Sequence, residues 1–373
     1  MAEERVDIAV IGLSAAGEQT LRALGELPQA NIVGVADKDG DLAQRVGTEM
    51  NVPHYTDNRS LLVEVRPRAV FLAVPSMAAP EILAACAERE IHVWKESPLA
   101  RDLNEGVAMV QRMEQAGVKF AVGTQWRFAP GYHHARQSLG RVGPVFLARG
   151  HYLFNWGPRL SWRGDRASAG GGALLDLGYH PLDLMIWMLG LPEDVYGVAS
   201  AGHRETEDLE GEPVAVYDTD DTAAAVLRYR SGAMATVVTC RASGPMSQEL
   251  NLHGRGGSLQ ANSELCIARD PEGNIVDHTP GEPSSMEAYR RQAEAFLHAV
   301  ASDAACYESS ARESLLTQAA VDAIYLASRT GQPESPTDRL KNCNIDPEDC
   351  LIHRPPQAPP SDGPMGASCD ETE

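Results

Sequence analysis

Val6-Asp7-Ile8-Ala9-Val10-Ile11-Gly12-Leu13-Ser14-Ala15-Ala16-Gly17 sets the architecture of the first half of the chain. The six residues before Gly12 are almost all apolar and rich in Val and Ile, which predicts a buried strand. Gly12 then permits a tight turn, and Gly17 lets the helix that follows pack closely on the strand. The unpaired N–H groups at the start of such a helix face outward and suit an anion. This is a dinucleotide fingerprint in which Ser14 replaces the second glycine, and its Cβ crowds a pyrophosphate. Alone, it also reads as an ordinary tight strand–helix turn.

The segments that follow decide between those readings. Apolar strands are predicted at Ile32–Ala36, Ala69–Val74, Ile91–Trp94 and Lys119–Val122. Helical patterns lie between them, for example Pro80–Glu90 and Asp102–Ala116, the latter closed by Gly117. Alternation of this kind predicts a parallel sheet covered on both faces. Asp37 ends the second strand 20 residues after Gly17, where a carboxylate bonds the ribose hydroxyls of a dinucleotide. The alternative for Asp37 is a turn acid before Gly40. A carboxylate there repels a 2′-phosphate, favouring NAD; the adjacent Lys38 keeps NADP open. The predicted cofactor contacts are therefore Gly12, Ser14, Ala15, Ala16, Gly17, Asp37 and Lys38 in a domain spanning residues 1–122.

From Gly123 the pattern changes to longer strands, Val145–Tyr152, Thr222–Arg230 and Ala233–Thr239, with a hairpin turn at Arg230-Ser231-Gly232. Two amphipathic helices, Ser285–Ala301 and Ala311–Arg329, precede Gly331. The expected fold class is α/β: an N-terminal dinucleotide-binding domain, then an α+β domain over 123–332 with a large, mostly antiparallel, open-faced sheet. Residues 333–373 hold eight prolines among acidic and small residues and read as an extended or disordered tail. Cys343, Cys350 and His353 could hold a metal there, but a plain tail is the simpler reading and no metal is expected.

The net charge of −20 argues against nucleic acid and an anionic membrane surface. No apolar run reaches the about 18 residues of a membrane span. Met1-Ala2-Glu3-Glu4-Arg5 is acidic and unlike a secretory signal. Seven scattered cysteines fit reduced thiols of a cytoplasmic protein.

The richest chemistry lies in Gly170-Gly171-Gly172-Ala173-Leu174-Leu175-Asp176-Leu177-Gly178-Tyr179-His180-Pro181-Leu182-Asp183. Spacings of four and seven residues put Asp176, His180 and Asp183 on one face of a predicted helix. The other positions are largely apolar, so the helix is expected to be buried. Acids and a histidine in such a place are either paired within a core or used.

Together these motifs make the chain resemble the glucose–fructose oxidoreductase/inositol dehydrogenase (Gfo/Idh/MocA) family over residues 5–332. The resemblance rests on the glycine turn, Ala73-Val74-Pro75, Lys95-Glu96-Ser97-Pro98-Leu99-Ala100, Gln125-Trp126-Arg127-Phe128, the Gly170–His180 stretch and Asp220-Asp221-Thr222. It implies NAD- or NADP-dependent oxidation or reduction at a carbinol carbon of a sugar, cyclitol or related small molecule. It implies His180 and Asp176 as the acid–base pair and Asp183 as a ligand to a substrate hydroxyl. Glu96 would lie beside the nicotinamide, with Val74, Pro75 and Gln125 as further cofactor contacts. It also implies a homo-oligomer, dimer or tetramer, paired through the open sheet face.

One departure matters. The family's Glu-Lys-Pro motif carries a catalytic lysine, and Ser97 stands in its place. A hydroxyl gives one neutral hydrogen bond where an ammonium gives a charge, and losing such a donor costs on the order of 10²–10³ in rate. Lys95, two residues earlier, either supplies that charge or is a solvated lysine at the strand end. The residues Ala78 and Ala79 are apolar where the family often has polar groups.

Arg127, His151, Asn155, Trp156, Trp162 and Arg163 are the substrate-side candidates; tryptophan faces suit sugar rings and arginines suit carboxylates or hydroxyls. Each also reads as part of an interdomain brace. The His133-His134 pair reads as helix surface, and Glu205–Glu212 as a solvated acidic loop. Three functions follow. The first is an NAD(P)-dependent oxidoreductase. The second keeps the nucleotide and uses transient oxidation to drive elimination or hydrolysis. The third is a binding or regulatory protein with impaired catalysis, supported by Ser14 and Ser97.

Overall fold

A computed structural model describes residues 5–157, 159–202, 205–207, 213–279, 285–302 and 307–351. In the first domain, β1 (Val6–Ile11), β2 (Ala30–Ala36), β3 (His54–Tyr55), β4 (Ala69–Leu72), β5 (His92–Glu96) and β6 (Phe120–Gly123) form one parallel sheet in the order β3-β2-β1-β4-β5-β6. Central strands of a parallel sheet are covered on both faces, which is why β4 is apolar throughout and fully buried. The helix Leu103–Gln115 starts where Asp102 accepts from the Glu105 N–H at 2.9 Å, and Gly117 closes its end at φ +69°.

In the second domain, β7 (Val145–Asn155), β8 (Asp194–Ser200), β11 (Thr222–Arg228), β12 (Met234–Cys240), β13 (Ala242–Gly254), β14 (Gly257–Ala261), β15 (Cys266–Arg269) and β16 (Ile275–His278) form an eight-stranded sheet. Between β8 and β11, β9 (Glu205–Glu207) and β10 (Pro213–Val216) pair as a separate ribbon. The large sheet is antiparallel except where β12 runs parallel to β7. The expected hairpin joins β11 and β12. Helices Tyr179–Leu189 and Ala311–Thr330 bury one face of this sheet, with Leu182, Leu315 and Ile324 fully buried. The other face leaves Tyr196, Val198, Val226, Met234 and Val238 exposed.

Three features depart from the sequence reading. The helix Ser285–Ser302, expected with the second domain, buries Ala293, Phe296, Leu297 and Val300 in one cluster with Val6, Ile8 and Val10. The Gln292 side chain also donates to the Val122 carbonyl. The stretch from 333 to 351, expected as a loose tail, is folded. Ser335 caps a helix at Pro336–Asn342, where proline in the first turn starts a helix rather than breaking it. Leu340 and Cys350 are fully buried and Ile345 nearly so, while Glu334 and Val195 exchange two backbone hydrogen bonds of 2.9 Å. His353 and the rest of the tail lie outside the described residues. The helix expected to carry Asp176, His180 and Asp183 is two helices, Ala173–Asp176 and Tyr179–Leu189. Pro181 has no N–H and clashes with the preceding turn, so the chain breaks at Leu177-Gly178 and restarts with the proline in a first turn.

Among the described residues no group of three or more His, Cys, Asp or Glu could hold a metal ion. No helix among the described residues is long and apolar enough to cross a membrane. Leu340→Ala should lower stability by about 2–5 kcal/mol, read as a shift of the denaturant midpoint; an unchanged midpoint would mean that the segment contributes nothing to the fold.

Candidate active site

The turn after β1 has the geometry that the glycines predict. Gly12 sits at φ +90°, and a Cβ there would lie 2.1 Å from the Ala73 carbonyl oxygen. A Cβ on Gly17 would lie 2.0 Å from the Gly12 oxygen. Ala15 is held at φ 25° just before the helix Ala16–Gly25, a conformation L-residues rarely adopt. Asp37 closes the same corner: its carboxylate accepts from Leu13 N–H at 2.8 Å and Asp39 N–H at 3.0 Å. Ser14 and Ala15 are exposed at the helix mouth, and Lys38 is exposed beside Asp37. A tight glycine turn, a helix mouth open to solvent and a half-buried acid at the end of β2 fit a dinucleotide.

Half-buried Val74 and Pro75 follow β4, and Glu96-Ser97-Pro98 leaves the end of β5 at the same edge of the sheet. Burial raises the Glu96 carboxyl to about 7 against the pull of Lys95, and Asp176 adds to the rise. The Ser97 hydroxyl is 3.5 Å from Glu96 Oε1. Lys95 follows neither expectation. It is 2% exposed, and its Nζ donates to the carbonyls of Glu96 at 2.9 Å and Pro98 at 2.5 Å. Burial lowers its pKa to about 8. It braces the turn that carries Ser97 instead of reaching solvent or presenting its charge in Ser97's place.

Across the cleft, Gly170–Gly172 sets the helix pair. Asp220 Oδ1 accepts from Gly172 N–H and Oδ2 from Leu174 N–H, both at 2.8 Å. The Tyr325 hydroxyl adds a bond of 2.7 Å to Oδ1. A Cβ on Gly172 would lie 1.9 Å from the Asp220 carbonyl oxygen, so only glycine fits. Asp176 ends the first short helix and His180 opens the next. His180 is 8% exposed and stacks on Trp126 with centroids 4.9 Å apart, while Tyr152 meets it edge-on at 6.1 Å. Burial lowers the His180 pKa to about 4, so the ring is neutral at neutral pH.

Asp176 faces Arg163, whose Nε lies 3.3 Å from Asp176 Oδ2. Burial raises its carboxyl, opposed by Arg163 and Arg241. The two residues that the resemblance implies as an acid–base pair thus have separate partners: Asp176 an arginine, and the imidazole two aromatic rings.

Asp183 and Arg127, both expected to touch substrate, are paired in the core. Asp183 is 1% exposed and takes two bonds of 2.7 Å from Arg127, plus one of 3.1 Å from Thr317. Arg127 also pairs with Glu313. The break before Tyr179 turns Asp183 toward the Ala311–Thr330 helix, and a bidentate fork compensates its burial. Exposed Asn155 caps its own turn through the Gly157 N–H. Trp156 and Trp162 each lie 4.5 Å from the Arg163 guanidinium, enclosing it. His151 bonds Ser247 across the strand pair. The predicted surface histidines His133 and His134 are half-buried, His134 3.3 Å from Asp277.

Tyr152, Tyr289, Trp126 and Arg241 went unread as site residues. Burial raises the Tyr152 phenol to about 12, with Asp176 contributing. Tyr289 is raised by burial and by Glu96, beside Gln125. Tyr152's place in β7 was legible; its distance in sequence from Asp176 hid the contact.

A family model described as "Oxidoreductase family, NAD-binding Rossmann fold" matches residues 6–124, and one for the GFO/IDH/MocA C-terminal domain matches 132–260. The chain belongs to the GFO/IDH/MocA oxidoreductase family. Its N-terminal domain is the NAD-binding Rossmann fold of that family. A D-xylose 1-dehydrogenase (NADP⁺) of Haloferax volcanii is 25% identical over 86% of this chain and 97% of its own length. Myo-inositol 2-dehydrogenase of Thermotoga maritima is 25% identical over 69% of this chain and 75% of its own. Levoglucosan dehydrogenase in complex with NADH and levoglucosan shares the fold at TM-score 0.81 and 22% identity, over 89% of this chain and 99% of that one.

The His180 environment sets a sign. An ordinary imidazole protonates near pH 6.5, whereas this one does so only near 4. Between those values the unfolded state binds the extra proton, so the contribution is complete above about 6.5 and is lost as pH falls toward 4. His180→Gln should therefore flatten the acid side of the stability–pH curve between these values, measured by denaturant melts. Equal slopes in both proteins would refute a neutral buried imidazole.

Proposed function

We propose that this GFO/IDH/MocA member is an NAD(P)-dependent oxidoreductase acting at a carbinol carbon of a sugar- or cyclitol-like molecule. The observation that carries the reading is the convergence in one interdomain cleft of Glu96-Ser97-Pro98, from the sheet edge, with Asp176 and His180 from the helix pair. The activities of the xylose, levoglucosan and inositol dehydrogenase relatives support a polyhydroxylated substrate.

The Gly12–Gly17 turn with Ser14, Ala15 and Ala16 holds the pyrophosphate, and Asp37 the adenosine ribose. Val74, Pro75, Glu96 and Gln125 line the nicotinamide end. When bound, the nicotinamide supplies the hydride acceptor or donor. Neutral His180 is free to accept the substrate hydroxyl proton on a ring nitrogen. Stacking on Trp126 fixes the plane of that ring. The raised carboxyls of Asp176 and Glu96 hold protons more readily than ordinary acids and serve as the next stations. Ser97 donates a neutral hydrogen bond to the reacting oxygen, and the Arg163–Asp176 pair keeps a cation in the cleft where Ser97 brings none.

Both NAD⁺ and NADP⁺ should be tested for thermal protection, followed by NADH or NADPH formation at 340 nm against sugars and cyclitols. Asp37 predicts stronger protection by NAD⁺. His180→Ala should lower kcat by about 10²–10⁴-fold with the nucleotide shift retained. Absence of protection by either nucleotide, or a variant as active as the parent, rejects the reading.

The exposed sheet face with Tyr196, Val198, Val226, Met234 and Val238 supports a homo-oligomer joined there. Light scattering should return a dimer or tetramer, and Val226→Glu should shift it toward monomer; a monomeric parent refutes the arrangement.

A further inference from the structure

Two guanidinium groups line the cleft recess formed with Ser76, Pro98, Trp162 and Asp176. Arg241 is only 4% exposed. Its Nη1 donates to the Arg163 carbonyl at 3.2 Å, and its Nη2 to Thr219 O at 3.2 Å and Thr219 Oγ1 at 2.8 Å. Its Nε is buried and has no hydrogen-bond partner. Arg163 is held between the two tryptophans, and its Nε is likewise buried without a hydrogen bond. The Asp176 oxygen 3.3 Å away is its ion-pair partner and the group a ligand would displace. Asp220, also close to Arg241, has both oxygens taken by Gly172, Leu174 and Tyr325. Buried donors are ordinarily completed by protein, ordered water or a ligand, and these two lie where a ligand can enter.

We propose that the substrate is a polyol that carries a carboxylate, a sugar acid, and that this recess receives the carboxylate through the unpaired Nε–H of Arg241 and the Nε–H of Arg163 that now faces Asp176. The inference rests on the oxidoreductase reading and names the substrate class of the same site. A planar carboxylate matches guanidinium donors that are fixed in place. Arrival of the acid also competes with Asp176 for Arg163, releasing the Asp176 carboxyl for proton exchange only when the correct substrate is seated.

The test uses the full chain saturated with NAD⁺ and matched pairs: D-glucose with D-glucuronate, D-galactose with D-galacturonate, and D-glucitol with D-gluconate. Glucose 6-phosphate is included as a bulkier anion. The readouts are kcat/KM and, for compounds not turned over, calorimetric binding. At least one acid should exceed its neutral partner by about tenfold or more. Arg163→Gln should cut that acid-to-neutral ratio about tenfold, chiefly through KM. Arg163→Lys, which keeps the charge and loses the fork, should also lower it; Arg163 is the partly exposed member, so its variants are the ones to make.

Neutral partners equal or better in every pair, no acid bound at all, a preference for the phosphate, or a ratio indifferent to both variants would each overturn the proposal. Loss of NAD⁺ binding in the parent chain would instead reject the oxidoreductase reading. Retained NAD⁺ binding with neutral polyols turned over as well as or better than every acid removes this inference alone.

Discussion

The Asp220 carboxylate accepts two backbone N–H groups and the Tyr325 hydroxyl, and the position of the helices Ala173–Asp176 and Tyr179–Leu189 depends on those three bonds. Gly170, Gly171 and Gly172 are glycines because Arg101, Tyr325 and Asp220 occupy the space a side chain would need. An exposed first helical turn would leave its N–H groups to water; here a side chain from the start of β11 satisfies them instead. That cap fixes Ala173–Asp176, the break at Leu177-Gly178 and, through it, the entry of His180. The motif therefore serves as architecture, setting where Asp176 and His180 enter the cleft.

Around that cap the electrostatics are those of a closed site. Burial disfavours charge on His180, Asp176 and Glu96 alike, so the imidazole is neutral and both acids are easier to protonate than in water. Arg163 opposes the shift of Asp176, and Lys95 that of Glu96. The two cations differ in use. Lys95 is committed to backbone carbonyls, whereas Arg163 pairs with Asp176 inside the cleft. Groups able to hold or release a proton are thus gathered where the C-terminal edge of the parallel sheet meets the second domain, the usual place for a ligand in such folds.

Local grammar made much of this legible. The strand Val6–Ile11, the glycine turn, Asp37 at the end of β2 and the β11–β12 hairpin each follow from residues close in sequence. Where distant segments compete for a residue, the reading failed. Asp183 and Arg127 looked like substrate ligands because nothing local showed that Glu313 and Thr317 would enclose them. Lys95 looked solvated or catalytic because alternation along a strand loses its meaning when both faces are buried. Pro336 looked like part of a loose tail, although Ser335 before it was a usable cap signal, and Pro181 similarly marked the helix break.

The sequence by itself determined the dinucleotide turn and the two sheet types, because strand periodicity, glycine φ requirements and carboxylate placement are short-range properties. Only the tertiary structure decided which charges are paired and which remain available. Burial and partner choice depend on contacts spanning the chain: Asp220 with Gly172, Asp183 with Thr317, Arg241 with the Arg163 carbonyl. The free energy of a charge in a protein is set by those neighbours rather than by its position in the chain.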